Sequence, residues 1–302
     1  LCDRRQRQMC KETDPTLTEA IDSYIVQRSN TLSPLTIWCY RSIQKHRFQT
    51  TMPRRLDQIA DEGWQGIVNM EAALCAPKTL KTAFAFVRGV VAEQYRPAKV
   101  SQASPTPKEK PFLTPEQIRV FVEVVKDTRY AVPALLALSS LRVSEIQALR
   151  WEDIPGNPDF IQVQGAVVLN EENKYQRKAQ NKNATSTRNV PVMIPELSAA
   201  IQRDRKPSGP VLDITQNSLR CAIKKICREN DLPDAGVHGL RHSFASLAYH
   251  LQVPERIFME IGGWADATTM HKIYIHIAQA DIQRSQTAMT DFYKGKKDQQ
   301  TY

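Results

Sequence analysis

Residues 237–276 read VHGLRHSFASLAYHLQVPERIFMEIGGWADATTMHKIYIH, a forty-residue run that holds His238, Arg241, Trp264 and Tyr274. Read as helix at its start, it puts His238 and Arg241 three positions apart on one face, where both can aim at the same small anion. A phosphodiester suits these residue types. Arginine offers a permanent planar charge that bonds two phosphate oxygens at once, histidine moves a proton near neutral pH, and tyrosine supplies an oxygen nucleophile. His-x-x-Arg by itself fits many sites, so its meaning depends on what lies upstream.

Upstream, Phe160-Ile161-Gln162-Val163-Gln164 alternates, Gly165 to Leu169 continues it, and Asn189-Val190-Pro191-Val192 closes a polar, basic hairpin. Helices flank these strands. Thr114-Pro115-Glu116-Gln117 has the form of a capping box with proline at the first helical position, predicting a helix to about Asp127. Others are expected over Ala131 to Leu141, from about Ser144, and from about Pro195 onward. Farther forward, KVSQASPTPKEKPF (99–112) carries three prolines and few apolar residues, as a linker does.

In front of it, apolar residues recur at helical spacing from Thr16 to Tyr95, as in Leu17, Ile21, Tyr24 and Ile25, then Leu80, Phe84, Val87 and Val91. This predicts a bundle of four or so helices, with starts at Ser33-Pro34 and Pro77. The expected fold is mainly α with a small β-sheet. Its layout is a tail (1–14), a helical domain (15–98), the linker (99–111), a mixed α+β domain (112–295) and a second tail (296–302).

The 302 residues carry a net charge of +9, with 17 Lys+Arg against 11 Asp+Glu up to residue 110 and 24 against 21 beyond it. The excess sits in front and suits a polyanionic partner. Cys2, Cys10, Cys39, Cys75, Cys221 and Cys227 form no Cys-x-x-Cys pair, and no apolar run reaches the length of a membrane span. Reduced thiols in a cytoplasmic protein are expected. The chain starts at Leu1 with no signal-peptide pattern, and reads as processed or truncated.

Leu141-Arg142-Val143-Ser144-Glu145 leads into Ile146-Gln147-Ala148-Leu149-Arg150-Trp151. With His238-Gly239-Leu240-Arg241 and the Tyr274 segment, it resembles the tyrosine recombinases, the integrase family of phages and conjugative transposons. Family motifs fall on this chain in order: Arg142 on the first arginine, Glu145 on the acidic residue after it, and Lys182 on the lysine of the β-hairpin. His238 and Arg241 fall on the second motif, Trp264 on the His/Trp position and Tyr274 on the nucleophile. Trp264 departs from most relatives, which have His there. The front domain is looser, with Leu32-Ser33-Pro34-Leu35-Thr36 and Tyr40 similar to the family's helical core-binding (SAM-like) domain.

The resemblance implies a DNA recombinase that closes around double-stranded DNA, cleaves through a 3′-phosphotyrosine link and acts as a homotetramer, with room for an accessory excision or bending factor. A phenol is about one part in a thousand ionised at pH 7, a deficit on the order of 4 kcal/mol that two arginines and a histidine at the phosphate can offset. Lys182 would protonate the leaving 5′ oxygen. No cofactor, metal or membrane is expected. A topoisomerase-like nicking and resealing enzyme and a silent DNA-binding module are the alternatives. Among other candidates, Tyr249 reads as core, His242 could buttress the site, and Lys174 and Lys178 share the hairpin with Lys182.

Overall fold

The structure, a computed structural model, describes residues 14–97, 99–106, 111–156, 158–169, 175–178 and 187–264, with 286, 289–290 and 293–294. The expected positions Lys182 and Tyr274 lie outside the described residues. The chain divides into two compact units, Leu1–Lys108 with Leu169–Gln176, and Glu109–Val168 with Arg177–Tyr302.

In the first unit, α1 (Leu17–Gln27), α2 (Pro34–His46), α3 (Leu56–Glu62), α4 (Trp64–Ala72) and α5 (Pro77–Val90) surround one apolar core. Local sequence sets their starts: Thr16 and Glu19 form a capping box, Ser33 caps α2 ahead of Pro34, and Pro77 opens α5. The 3.6-residue period puts Leu17, Ile21 and Ile25 of α1 inside with Leu80, Phe84 and Val87 of α5. Buried Glu71 accepts the Phe48 amide at 2.9 Å and pairs with Arg47 at 3.3 Å, so this carboxylate is compensated.

The second unit is built around α7 (Ala131–Leu138), whose eight residues are all buried. Around it lie α6 (Pro115–Val125), α8 (Val143–Ala148), α9 (Pro195–Asp204), α10 (Gln216–Glu229) and α11 (Val237–His250), followed by α12 (Glu255–Gly262). The capping box predicted at Thr114 is present, with both reciprocal bonds to Gln117. The helix expected to reach Leu141 stops at Leu138, because Ser140 adopts a left-handed φ of 77° and turns the chain.

The predicted continuous strand run is broken at Gln164-Gly165. Strand β1 (Phe160–Val163) pairs antiparallel with β4 (Arg188–Pro191), opposing Phe160 to Pro191 and Val163 to Arg188, while β2 (Ala166–Leu169) pairs with β3 (Tyr175–Lys178). Alternation along β4 sends Arg188 and Val190 inward. Tyr249, read from sequence as core, is exposed near the end of α11. No helix among the described residues is long and apolar enough to cross a membrane.

Candidate active site

Helix α11 is locked to the start of its domain by backbone proximity. A Cβ at Gly239 would stand 2.6 Å from the Pro111 carbonyl oxygen, and Ser243 Oγ accepts the Leu113 amide at 2.8 Å while donating to the Gly239 carbonyl at 2.9 Å. Glycine between His238 and Arg241 is therefore a packing requirement. On this helix His238 is exposed and Arg241 is buried, so the two motif residues run from the surface inward.

Arg241 donates through Nη1 to the carbonyl of Ser140, whose left-handed backbone turns that oxygen toward it. Its guanidinium lies 4.2 Å from the ring centroid of Trp264, which is stacked with Phe244 at 6.2 Å. Burial, then the charge of Arg142, push the Arg241 guanidinium down to about 9, so it stays cationic at pH 7 but strained by desolvation. Among the described residues its buried Nη2 has no hydrogen-bond partner. An anion seated there would satisfy both the charge and the open donor.

Trp264 is delivered by a tight turn at the end of α12. Gly263, at φ 63°, closes the helix with its amide on the Glu260 carbonyl at 3.1 Å, and the Trp264 amide bonds the Met259 carbonyl at 3.0 Å. The indole folds over Gly262, where a Cβ would fall 1.8 Å from the ring. The Gly262-Gly263-Trp264 sequence is thus a shape requirement for placing the indole on Arg241.

Arg142 occupies the N-cap of α8 and Glu145 its first turn. Glu145 Oε2 accepts the Arg142 amide at 2.8 Å, and Oε1 accepts Arg142 Nη1 at 2.7 Å. Arg142 Nη2 reaches the Gly263 carbonyl at 2.7 Å, tying α8 to the turn that carries Trp264. About a third of the Arg142 side chain remains exposed, at 35%.

Reasoning from the sequence missed Arg188. It was one of several basic residues of a hairpin, yet its side chain is 5% exposed and bonds both Glu145 oxygens at 3.1 and 3.0 Å and the Ile261 carbonyl at 2.7 Å. Burial would raise the Glu145 carboxyl, but the Arg188 fork, with the Arg142 amide and guanidinium, overrides this and holds it below the ordinary carboxylate range. The available signal was the inward register that Arg188 shares with Val190. Among the described residues no group of acidic, histidine and cysteine side chains is placed to hold a metal ion.

Of the residues expected from sequence, Arg142, Glu145, Arg241 and Trp264 come together in one polar cluster with excess positive charge. Residues 111–281 match the model of the phage integrase family. A tyrosine recombinase XerC-like protein of Caldanaerobacter subterraneus subsp. tengcongensis is 25% identical over 223 residues, covering 62% of this chain and 57% of that one. Tyrosine recombinase XerC of Xanthomonas axonopodis pv. citri is 29% identical over 199 residues, covering 60% and 59%. The chain thus spans less than two thirds of either relative. Among solved structures, Tn1549 transposon integrase with circular intermediate DNA matches with a TM-score of 0.67 at 17% identity, covering 89% of this chain and 99% of that one. A lambda integrase tetramer bound to a Holliday junction matches at 0.60 and 15%, covering 86% and 78%. These structures share the fold, and the family model covers more than half of the sequence: the chain belongs to the phage integrase family.

Proposed function

We propose that the protein is a site-specific DNA recombinase that cuts and rejoins double-stranded DNA in integrating or excising a mobile element. The observation that carries this reading is the meeting of Arg142, bonded to the Gly263 carbonyl, and Arg241, against the neighbouring Trp264 ring, with Glu145 as the one carboxylate of the cluster and Arg241 Nη2 an open donor among the described residues. Such a site binds a phosphodiester and stabilises charge building on its non-bridging oxygens.

In this reading the Tyr274 oxygen attacks phosphorus, the bond to the 5′ oxygen breaks, and Lys182 gives that oxygen a proton. The products are a 3′-phosphotyrosyl link and a 5′ hydroxyl. Attack by a 5′ hydroxyl of another strand reverses the step and releases Tyr274, so no external energy source is consumed. In the same reading His238, at the start of α11, takes the Tyr274 phenolic proton as its oxygen attacks and returns it when the link is reversed. Assembly as a tetramer on DNA is proposed by analogy with the lambda integrase tetramer, and an accessory bending or excision factor fits the same scheme. Free thiols at Cys39, Cys75, Cys221 and Cys227 suit a cytoplasmic setting.

The test is covalent trapping on nicked duplexes tiling the DNA that flanks the gene. A protein–DNA adduct that survives denaturation and disappears in Tyr274→Phe is expected. Binding without any adduct on every duplex would assign the chain to a binding role.

A further inference from the structure

We propose that Arg188 is a positioning residue of the strand-cleavage site: by clamping Glu145 and the Ile261 carbonyl together it holds Arg142 and the Gly263-Trp264 turn in the arrangement that receives a phosphodiester. The inference rests on the recombinase reading and assigns that site a member outside the residues its motifs name.

The geometry starts from Glu145. Its two oxygens receive four N–H donors, from the Arg142 amide and Nη1 and from Arg188 Nη1 and Nη2, at 2.7 to 3.1 Å. A carboxylate has about four lone-pair positions, so Glu145 is saturated and orients the arginines instead of exchanging protons with substrate. Of these two guanidinium groups that of Arg188 is the more deeply buried: its side chain is 5% exposed against 35% for Arg142. Arg142 can therefore present itself outward only while Arg188 secures the carboxylate from behind.

The same side chain reaches the other wall of the site. Arg188 Nε bonds the Ile261 carbonyl at 2.7 Å, two residues before Arg142 bonds the Gly263 carbonyl at the same distance. Two arginines from different elements thus grip the last turn of α12, and that turn places Trp264 over Arg241. The fit is tight, since a Cβ at Gly263 would lie 2.9 to 3.1 Å from the Arg188 guanidinium. Among the described residues Arg142, Arg188 and Arg241 face one carboxylate, Glu145, a net positive charge that suits a phosphate. Asp153 and Arg177, paired at 2.8 Å, line a cavity of about 260 Å³ that Glu145 also borders, and are the further charged groups on its wall.

The experiment measures single-turnover adduct formation by the full chain between pH 5 and 8 for wild type, Arg188→Met, Arg188→Lys, Glu145→Gln and the Met/Gln double variant, with duplex binding measured alongside. Arg188→Met is expected to bind DNA within about threefold of wild type and to cleave about a hundredfold more slowly, as small misplacements at a reacting centre do. The acid limb of its rate should also move up by about one to three pH units, because Glu145 has lost a cation. The double variant should be no slower than Glu145→Gln. Arg188→Lys should restore the acid limb but not the rate, since an ammonium cannot span the carboxylate and the carbonyl together.

Wild-type cleavage by Arg188→Lys or Arg188→Met, or a loss that is uniform with pH and adds in full to that of Glu145→Gln, overturns the proposal. Should Arg188→Met not fold, Arg188→Lys carries the decision by the same criteria. No adduct from wild type would instead overturn the recombinase reading. The clasp would then be decided by acid unfolding, where coupling between Arg188→Met and Glu145→Gln supports it and additivity refutes it.

Discussion

The guanidinium of Arg241, on α11, lies over the Trp264 ring at 4.2 Å from its centroid, although Trp264 stands 23 positions later, just past the end of α12. The indole gives a desolvated cation a polarisable face where, among the described residues, no carboxylate is paired to it. Removing that face by Trp264→Ala is expected to slow cleavage roughly 2- to 30-fold, the equivalent of about 0.5–2 kcal/mol of cation–π contact. Trp264→Phe should keep most of the rate. Single-turnover cleavage at saturating DNA measures it, and an unchanged Trp264→Ala would remove the stack from the account.

Gly262→Ala tests how the indole is placed. The added methyl would overlap the Trp264 ring, at 1.8 Å, so either the turn or the indole must move. A stability loss of about 1–3 kcal/mol is expected, with a change in tryptophan emission as the ring leaves Arg241. Urea denaturation followed by fluorescence reads both.

Ser140 offers the opposite outcome. It holds φ 77°, which aims its carbonyl at Arg241, with its buried hydroxyl unpartnered among the described residues. Ser140→Gly relieves the backbone and removes the hydroxyl, and after the entropic cost of glycine a net stabilisation of about 1 kcal/mol is expected. Thermal melts should show a rise of about 2–4 °C for a chain of this size.

Glu145 makes stability depend on pH in a defined direction. Its folded pKa is below the ordinary 4.5, so its contribution is fully present above that value and is lost as pH falls through the depressed one. Glu145→Gln should cost about 3–5 kcal/mol at neutral pH, because two arginines lose a buried counter-charge. The gap between wild type and variant should narrow as the pH is taken below 4.5. Urea titrations across pH 2–7 check it, and a gap that is constant with pH would contradict the assignment.

Local signals carried most of the fold. The Thr114 capping box, Pro34, Pro77 and the period of α1 and α5 act within a few residues, so they are readable in a row of letters. Arg142 and Arg241, which the structure brings into one cluster, could be singled out because each sits in a short motif near a helix start. Arg188 was not, since its burial is created by a carboxylate 43 positions before it and a carbonyl 73 positions after it. The early end of α7 escaped for a related reason: the left-handed turn at Ser140 answers to Arg241, 101 positions away. Tyr249 shows the reverse error, an apolar context in sequence that the helix turns outward.

In the proposed reaction Tyr274 becomes covalently linked to DNA at a phosphate held by Arg142 and Arg241. The direct measurement is mass spectrometry of peptides from the trapped adduct after nuclease digestion. A nucleotide is expected on the peptide containing Tyr274, formed by wild type, formed about a hundred to a thousand times more slowly by Arg142→Lys, and not formed by Tyr274→Phe. A nucleotide on any other residue, or an undiminished adduct in Tyr274→Phe, would contradict it.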